Sequence, residues 1–217
     1  MAQGFFITFE GGEGGGKSTQ AKRLAAVLQE KGHQVLLTRE PGGSPGAEAI
    51  RQLLLTGDVA RWDGMTEVLL HYAARRDHVV NTVKPAMAQG KIVISDRFAD
   101  STMAYQGYGH GVGREAIKEL HHAVLGDFQP DLTLILDLPV DAGLKRAMAR
   151  PDMAKSAAED RYERMGQAFH ERLRQGFLEI GKAHPQRCRV IDASRSIDAI
   201  AADVARATLQ ALEKRRG

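Results

Sequence analysis

Residues 11–18 read Gly11-Gly12-Glu13-Gly14-Gly15-Gly16-Lys17-Ser18. This run fits the phosphate-loop pattern, in which a glycine and four variable residues precede Gly-Lys-Ser. Glycines permit backbone turns that a Cβ forbids, so successive amide groups can point inward around a phosphate. An apolar run at residues 5–9 precedes the loop, and a helical pattern at about residues 17–31 follows it. That context favours a nucleotide-binding loop over a flexible glycine-rich turn.

The loop predicts a binding site for a nucleoside triphosphate, taken to be ATP with Mg²⁺. The loop and the start of the next helix, through Thr19, are expected to hold the phosphates. Lys17 is expected to reach the β- and γ-phosphates, and the Ser18 hydroxyl to ligate Mg²⁺. A dinucleotide-binding loop is disfavoured, because the Lys-Ser pair has no role there. Glu13 is unusual, since a carboxylate repels phosphate unless it faces elsewhere, such as the sugar hydroxyl of an acceptor.

Short apolar strands alternate with helical patterns along the chain. The predicted strands are residues 5–9, 34–38, 91–95, 132–136 and 189–191. Helical patterns occupy about residues 17–31, 47–56, 66–89, 114–125, 140–149, 160–184 and 197–214. This alternation predicts an α/β fold with a five-stranded parallel sheet flanked by helices, in a single domain over residues 1–217.

Charged residues follow three of these strands at the point where each strand ends. Glu10 ends the first, Arg39 follows the second, and Asp96 with Arg97 follows the third. Ligands of open parallel sheets bind at the carboxyl ends of the strands. We expect Asp96 to serve the Mg²⁺ and its waters, and Arg97 to grip a phosphate with its forked guanidinium. Ser18 and Asp96 are therefore the predicted metal residues.

Composition narrows the class of protein. The chain has 217 residues, of which 43% are hydrophobic and 26% charged, with a net charge of +3. Basic residues are dispersed, so anionic small molecules explain this bias better than nucleic acid. Cys188 is the single cysteine and excludes an internal disulfide. No apolar run approaches the ~18 residues of a membrane span, and residues 1–9 lack a secretory pattern, so a cytoplasmic location is the default expectation.

Residues 94–106 resemble the signature of thymidylate kinases. Residues 39–43, 72–75, 123–126 and 130–133 resemble further motifs of that family, in the same order and with similar spacing. The resemblance covers nearly the whole chain. It implies a P-loop nucleoside monophosphate kinase fold, transfer of phosphate from ATP to dTMP to give ADP and dTDP, Mg²⁺ as cofactor, and a homodimer.

Alternatives stay open beside this interpretation. A related kinase acts on another (deoxy)nucleoside monophosphate, such as dUMP. A nucleotide switch or regulatory ATPase has no small acceptor, and residues 96–106 argue against that class. A nucleic-acid-binding ATPase is the remaining class, and it is distinguished by hydrolysis that DNA or RNA stimulates.

The resemblance implies roles for residues on the acceptor side. Arg97 and Arg51 clamp the acceptor phosphate, which offsets its repulsion for the γ-phosphate. Arg75 contacts thymine O4, and Thr102 and Gln106 read the pyrimidine edge. The residues carried over as dTMP ligands are Glu13, Arg39, Arg51, His71, Arg75, Arg97, Thr102, Tyr105 and Gln106.

Two of these residues concern the sugar, and one departs from the family pattern. Tyr105 is implied to form the ribose wall that disfavours a 2′-hydroxyl, and Glu13 is implied to pair with the 3′-hydroxyl. The family commonly has a phenylalanine stacked on thymine where this chain has His71. A neutral imidazole can still stack, more weakly and with a polar edge.

A mobile lid is expected at about residues 150–161. Pro151 stops the preceding helical pattern, and the following stretch is small and polar. The phosphate loop contains no arginine, and in family members of that type the lid supplies the cation. Arg150, Lys155 and Arg161 are therefore candidates to stabilise the transferred charge. The residues predicted to act in catalysis are Lys17, Arg97, Arg150, Lys155 and Arg161.

Overall fold

The computed structural model describes residues 4–149, 161–162 and 164–216. Its sheet consists of β1 (Phe5–Glu10), β2 (Val35–Arg39), β3 (Ile92–Asp96), β4 (Leu132–Asp137) and β5 (Cys188–Asp192). The strands are parallel and lie in the order β2-β3-β1-β4-β5. The predicted five-stranded parallel sheet is confirmed.

Helices cover both faces of the sheet. They are α1 (Lys17–Glu30), α2 (Pro45–Leu55), α3 (Gly64–His78), α4 (Lys84–Ala88), α5 (Ala99–Thr102), α6 (Arg114–Leu125), α7 (Val140–Met148), α8 (Gln167–Ala183) and α9 (Ile197–Arg216). Ile7 of β1 packs with Leu24 of α1 and Val204 of α9 on one face. Phe6 packs with Val79 and the rest of a second cluster on the other. Burial of both faces explains why apolar residues point to both sides of β1 rather than alternating with exposed polar ones. Among the described helices, none is long and apolar enough to cross a membrane.

The strand register brings the charged strand ends to one edge. In the sheet, Asp96 of β3 lies beside Phe9 of β1 on one side and Arg39 of β2 on the other. Glu10 lies beside Ile135 of β4. The carboxyl edge therefore gathers acidic and basic residues that are far apart in sequence.

Two helical predictions required correction at their ends. The helix predicted at 66–89 begins at Gly64, where the Asp63 side chain accepts bonds from the amides of Met65 and Thr66 at 2.9 and 3.0 Å. It also contains a π-helical turn, Val79–Val83, between α3 and α4. The helix predicted from residue 160 begins only at Gln167, after an extended Gly166.

A third difference lies in the segment that carries the family signature. No helix was predicted there, yet α5 and a π-helical turn, Met103–Gly109, form one continuous helical segment. Serine, threonine and glycine are weak helix formers, so local propensity did not indicate it. The segment is helical because tertiary packing encloses it: Ala104, Gln106 and Gly107 are all buried.

Candidate active site

The phosphate loop connects β1 to α1 and ends in Gly16, which has a φ of 84°. Gly16 has no side chain to satisfy the first amide groups of α1, and the first turn contains no acid. Those amides carry a partial positive charge and suit an anion. Lys17 is buried, and its Nζ donates to the carbonyl of Gly12 at 2.7 Å. The Lys17 side chain therefore folds back under the loop and bonds its backbone.

The loop can lie this close to its neighbours only because Gly11 and Gly14 lack a Cβ. A Cβ on Gly11 would lie 2.4 Å from the carbonyl oxygen of Leu136. A Cβ on Gly14 would lie 2.0 Å from the carbonyl oxygen of Gly143 in α7. The backbone path of the loop is therefore fixed by contacts with β4 and α7.

Ser18 and Asp96 are brought together as predicted, since the Ser18 hydroxyl donates to Asp96 Oδ2. Both offer hard oxygen ligands, which suit Mg²⁺. In the described part of the chain, no group of three or more His, Cys, Asp or Glu residues could hold a metal. A Mg²⁺ ion at this place would therefore take its remaining ligands from phosphate and water, which is its usual mode in kinases.

Arg97 is turned back over the phosphate loop by an unusual backbone conformation. Its φ of 72° is the only positive value at a non-glycine residue in the described ranges, and such residues cluster at functional sites. Its amide donates to Phe9 O at 2.9 Å. Its Nη1 donates to Gly11 O at 3.0 Å and to Ser101 Oγ at 3.2 Å. The guanidinium is held beside the loop and lines a cavity that Lys17 and Asp96 also line.

Glu13 faces Arg97 rather than the phosphate side of the loop. Arg97 Nη2 donates to Glu13 Oε1 at 2.8 Å, and the Tyr105 hydroxyl donates to the same oxygen. Burial alone raises the pKa of Glu13, but the positive charges of Arg97 and Lys17 outweigh it and lower the pKa to about 2. The carboxylate therefore stays ionised and is available to accept a bond from a hydroxyl group.

Arg75 lines the same cavity and is 2% exposed. Its Nε donates to Glu40 at 2.8 Å, and its Nη2 donates to Phe98 O at 3.1 Å and Thr102 Oγ1 at 3.0 Å. The guanidinium lies 4.7 Å from the ring centre of Tyr72 and 5.2 Å from that of Phe98. Its Nη1 is buried and finds no hydrogen-bond partner in the described residues.

Gln106 is fully buried, and one of its polar side-chain atoms, an acceptor, is also unused. Its Nε2 donates to Glu67 Oε2 at 2.8 Å and to the Tyr162 hydroxyl at 3.3 Å. Its Oε1 is buried and accepts no hydrogen bond from any part of the chain that the structure describes. One unused donor and one unused acceptor therefore belong to two side chains that line the same cavity.

His71 lines the cavity between these groups. The Tyr162 hydroxyl donates to Glu67 at 3.0 Å. The 3.1 Å contact between His71 Nε2 and the Tyr162 oxygen therefore has the imidazole as donor. Burial, together with the charges of Arg75 and Arg97, lowers the pKa of His71 to about 3. His71 is thus neutral at physiological pH and presents a flat imidazole.

These side chains surround one cavity of about 360 Å³. Lys17, Ser18 and Asp96 lie in its wall at the phosphate end. Every residue predicted as a dTMP ligand also lines it, namely Glu13, Arg39, Arg51, His71, Arg75, Arg97, Thr102, Tyr105 and Gln106. The structure thus brings Lys17 and Ser18 of the predicted donor site together with the acceptor residues predicted from separate segments.

The two remaining arginines of the acceptor side differ in their surroundings. Arg51 Nη1 donates to Pro41 O at 2.8 Å, which anchors the side chain over the end of β2. Arg39 is exposed and pairs with Glu48 at 3.1 Å. Exposed pairs of this kind contribute little to stability, so Arg39 can exchange its partner for a ligand at small cost.

Arg161 is not placed as a lid cation. It is fully buried and does not line the cavity. Its guanidinium donates to Leu54 O, Asp58 O and Val59 O at 3.4, 2.9 and 2.7 Å, and also to Glu67. With these nitrogens engaged, the side chain fastens the end of α2 to α3. Arg150 and Lys155 lie outside the described residues.

Sequence reasoning missed three residues that bond those it found, of which Glu40 and Tyr162 line the same cavity and Glu67 does not. Glu40 pairs with Arg75, Glu67 bonds Gln106, and Tyr162 bonds His71. One signal could have indicated Glu67. It precedes His71 and Arg75 by four and eight residues, a spacing that places all three on one face of a helix.

The phosphate loop adjoins a cavity lined by the cations Arg51 and Arg97 and by Arg75 and Gln106, which have one unused donor and one unused acceptor. Transfer of a phosphate between two nucleotides requires two such halves, and together they define a P-loop nucleoside monophosphate kinase, a phosphotransferase. The family model described as thymidylate kinase matches residues 9–204. The chain belongs to the thymidylate kinase family.

Relatives match over nearly their whole length. The thymidylate kinase of Caulobacter vibrioides is 55% identical over 212 residues, which cover 98% of this chain and 99% of that protein. That of Ruegeria pomeroyi is 49% identical over 213 residues, covering 98% of both chains. The crystal structure of thymidylate kinase from Ehrlichia chaffeensis aligns with a TM-score of 0.75 and 38% identity, covering 95% of this chain and 99% of that one.

Proposed function

We propose that this protein transfers the γ-phosphate of ATP to dTMP, giving ADP and dTDP, a step in dTTP synthesis. One observation supports the choice of base: the unused donor of Arg75 and the unused acceptor of Gln106, both buried in one cavity wall. Thymine presents O4 as an acceptor beside N3–H as a donor, which complements this pair. Cytosine presents the reverse order and would leave both buried groups unpaired, at about 1–3 kcal/mol for each.

The uracil base of dUMP presents the same edge as thymine, so hydrogen bonding alone does not separate dTMP from dUMP. The relatives from Caulobacter vibrioides and Ruegeria pomeroyi are both named thymidylate kinase, which favours dTMP. The 5-methyl group would add apolar contact, worth about 0.8 kcal/mol for one buried carbon. We therefore place dUMP second.

At the phosphate end, the proposed roles follow from charge and position. Arg97 and Arg51 hold the acceptor phosphate, and Lys17 holds the β- and γ-phosphates of the donor. The nucleophile is a phosphate oxygen that is already anionic, so no general base is required. Arg97 also reaches the carbonyl of Gly11 at 3.0 Å, which links the two halves of the site. A Mg²⁺ ion held near Ser18 and Asp96 would neutralise developing charge on the phosphates.

The sugar is proposed to lie between Glu13 and Tyr105. Glu13 is ionised and can accept a bond from the 3′-hydroxyl. Tyr105 donates its own hydroxyl to Glu13 and lies with its ring 4.9 Å from the guanidinium carbon of Arg97. That contact fixes the ring as a wall of the cavity, where it would crowd a 2′-hydroxyl.

Arg150 and Lys155 remain our proposed lid cations, and Arg161 is withdrawn from that role because its buried guanidinium donates elsewhere. Single alanine substitutions at positions 150 and 155 test the two candidates. If neither variant lowers kcat, the lid supplies no cation to the transferred phosphate.

The deciding experiment compares dTMP, dUMP, dCMP and dGMP as acceptors with ATP and Mg²⁺ in a coupled assay for ADP. We expect the highest kcat/KM with dTMP, and no stimulation of ADP formation by DNA or RNA. A better acceptor than dTMP would overturn the assignment. Slow hydrolysis that no monophosphate stimulates would instead indicate a nucleotide switch.

We also propose a homodimer and a cytoplasmic location, where ATP is available. Exposed apolar side chains support the dimer. Met65, Leu69 and Val80 are 41%, 53% and 41% exposed and share one side of the helical stretch that begins with α3. Leu69→Glu should shift the mass measured by light scattering from dimer to monomer.

A further inference from the structure

We infer that Glu67 is a positioning residue for base selection: it fixes the side-chain amide of Gln106 so that only the acceptor oxygen faces the cavity. The inference rests on the proposed function and extends it to a residue that does not line the cavity. Glu67 lies on α3 and is inaccessible to solvent. It acts on the base only through its neighbour.

The contacts of Glu67 come from donors. Its Oε1 accepts a bond from Arg161 Nη2. Its Oε2 accepts from the Tyr162 hydroxyl at 3.0 Å and from Gln106 Nε2 at 2.8 Å. His110 Nε2 lies 3.5 Å from the same oxygen. Because Arg161 and the Tyr162 hydroxyl already donate to its two oxygens, the carboxylate acts here as an acceptor, and the group of Gln106 that faces it must be the NH₂.

The amide plane then decides what the cavity meets. The oxygen and nitrogen of an amide diverge from one trigonal carbon, so an NH₂ turned to Glu67 turns Oε1 away from it. Gln106 lines the cavity, and its Oε1 is buried with no partner in the residues the structure describes. A thymine or uracil N3–H satisfies that oxygen, whereas the N3 lone pair of cytosine does not.

Arg161 makes this arrangement rigid. Its Nη2 holds the other carboxylate oxygen and also donates to Val59 O at 2.7 Å, while its Nε donates to Asp58 O at 2.9 Å. Glu67 therefore cannot rotate to release the amide of Gln106. Side chains that touch a ligand are most selective when such partners fix their orientation.

The substitution Glu67→Gln reverses the logic with almost no change of shape. Arg161 only donates, so it retains the oxygen of the new amide. The new NH₂ then occupies the place of Glu67 Oε2 and faces Gln106. Gln106 must turn its oxygen toward it and present NH₂ to the cavity. The cavity would now offer two donors, from Gln106 and Arg75, and thymine N3–H would meet one of them.

We therefore expect Glu67→Gln to lower kcat/KM for dTMP by at least about 10-fold and to narrow the ratio of dTMP to dCMP. Restoring an acceptor should repair the loss. In the double variant Glu67→Gln/Gln106→Glu, the new amide donates to the carboxylate introduced at position 106, and the second oxygen of that carboxylate faces the cavity. This double variant should recover most of the dTMP activity and the selectivity.

The matched control is Glu115→Gln, an exposed glutamate on α6 that is expected to match the parent enzyme. A Glu67→Gln protein that loses activity equally toward dTMP and dCMP, or a double variant that recovers nothing while folded, overturns the inference and leaves Glu67 with a structural role. If the unmodified enzyme does not prefer dTMP in the acceptor assay, the proposed function itself fails, so the two failures are distinguishable.

A measurement on the unmodified protein covers the case in which Glu67→Gln does not fold. The side-chain NH₂ of Gln106 is assigned by NMR from its loss in Gln106→Met. It should exchange slowly with solvent before any nucleotide is added, because it already faces Glu67 and Tyr162. Fast exchange that slows only on addition of dTMP would place the NH₂ in the cavity and overturn the inference.

Discussion

The phosphate loop and the acceptor cavity lie side by side at one edge of the sheet but are made in different ways. The loop is a run of consecutive residues whose ligand groups are backbone amides, and Lys17 supplies its principal side chain. The acceptor cavity draws residues from several distant segments, and its ligand groups are side chains. The function of the loop depends on the path of its backbone, whereas the function of the cavity depends on the partners that hold each of its side chains in position.

The charges of the two regions differ in the same sense. The loop opposes phosphate with helix amides and one lysine. In the cavity, cations already have acidic partners: Arg97 pairs with Glu13 and Arg75 with Glu40, at 2.8 Å in both pairs. These pairs hold the guanidinium groups in place before a ligand arrives, and such preorganisation is the main source of electrostatic catalysis.

Lys17→Ala tests whether the loop depends on one side chain. Alanine leaves the glycine backbone intact but removes the only cation of the loop. We expect kcat to fall by about 10³-fold or more, because the lysine offsets charge on the transferred phosphate. Steady-state kinetics with dTMP and ATP measure this. Lys22→Ala, which removes an exposed lysine further along α1, is the control; a loss below about 10-fold in Lys17→Ala would show that backbone amides suffice.

Arg97→Ala tests the place where the two regions meet. The side chain bonds Gly11 O in the loop and Glu13 beside the cavity. Its removal takes away a cation from the acceptor phosphate and leaves Glu13 less well balanced. We expect kcat/KM for dTMP to fall by about 10²-fold, with a much smaller change in the KM for ATP.

The comparison variant for Arg97→Ala is Arg23→Ala. Arg23 lies on α1 and pairs with Asp198 of α9 in an exposed contact. It should retain the kinetics of the parent enzyme. Equal losses toward ATP and dTMP in Arg97→Ala would mean that Arg97 serves the loop as a whole rather than the acceptor.

The same contrast explains what the sequence could predict. The loop is contiguous, so its function could be inferred from residues 11–18 together with the strand and helix around them. The strands were equally predictable, since each is a short apolar run. Arg97 could be predicted from its place at a strand end, but most acceptor residues were found only through resemblance to a family, because nothing in the local sequence marks Arg51 or Arg75 as different from solvated arginines.

The buried partners were not predicted, and only the helical spacing of Glu67 with His71 and Arg75 offered a signal for one of them. Glu67 belongs to a helix and Glu40 to a loop, where glutamate is normally solvated, and only the tertiary fold buries them. Arg161 was misassigned for the same reason. It follows a polar stretch, a pattern typical of a mobile cation, but carbonyl groups in and just after α2 and the carboxylate of Glu67 enclose it.

Glu40→Gln tests how far the cavity depends on such a partner. Glu40 accepts from Arg75 Nε at 2.8 Å and contacts His78 Nδ1 at 2.8 Å. Glutamine preserves the shape but leaves the buried charge of Arg75 uncompensated. We expect the KM for dTMP to rise about 10-fold with kcat within a few-fold, and the protein to lose on the order of 3 kcal/mol of stability.

Kinetics and thermal unfolding of Glu40→Gln measure the two effects separately. Glu30→Gln, at the exposed end of α1, provides the control for loss of a carboxylate. An unchanged KM for dTMP together with lower stability would mean that Arg75 keeps its position without Glu40. Arg75 would then be positioned by its bond to the backbone carbonyl of Phe98, much as the loop is positioned by backbone contacts.

His71→Phe is expected to have the smallest effect on activity. Phenylalanine stacks on a base at least as well as a neutral imidazole, so kcat should be retained and the KM for dTMP should stay the same or fall, within about 3-fold. A large loss of kcat/KM would show that the bond from His71 to Tyr162 orders the cavity. In that case the neutral imidazole acts as a hydrogen-bond donor rather than a stacking platform.

The same variant has a distinct signature in the pH dependence of stability. Burial and the nearby arginines lower the pKa of His71 from 6.5 to about 3. Between these values the unfolded chain binds a proton at this residue and the folded protein does not, so the free energy of unfolding falls as the pH falls, by up to about 1.4 kcal/mol per pH unit. His71→Phe removes that contribution.

Urea unfolding between about pH 6.5 and about pH 4.5 should therefore show a shallower decline in the free energy of unfolding for His71→Phe than for the parent protein. His122→Phe, on the exposed side of α6, controls for the loss of an imidazole. Parallel declines in the parent and His71→Phe would mean that His71 takes up its proton while folded, and the cavity would then carry a positive charge beside the base.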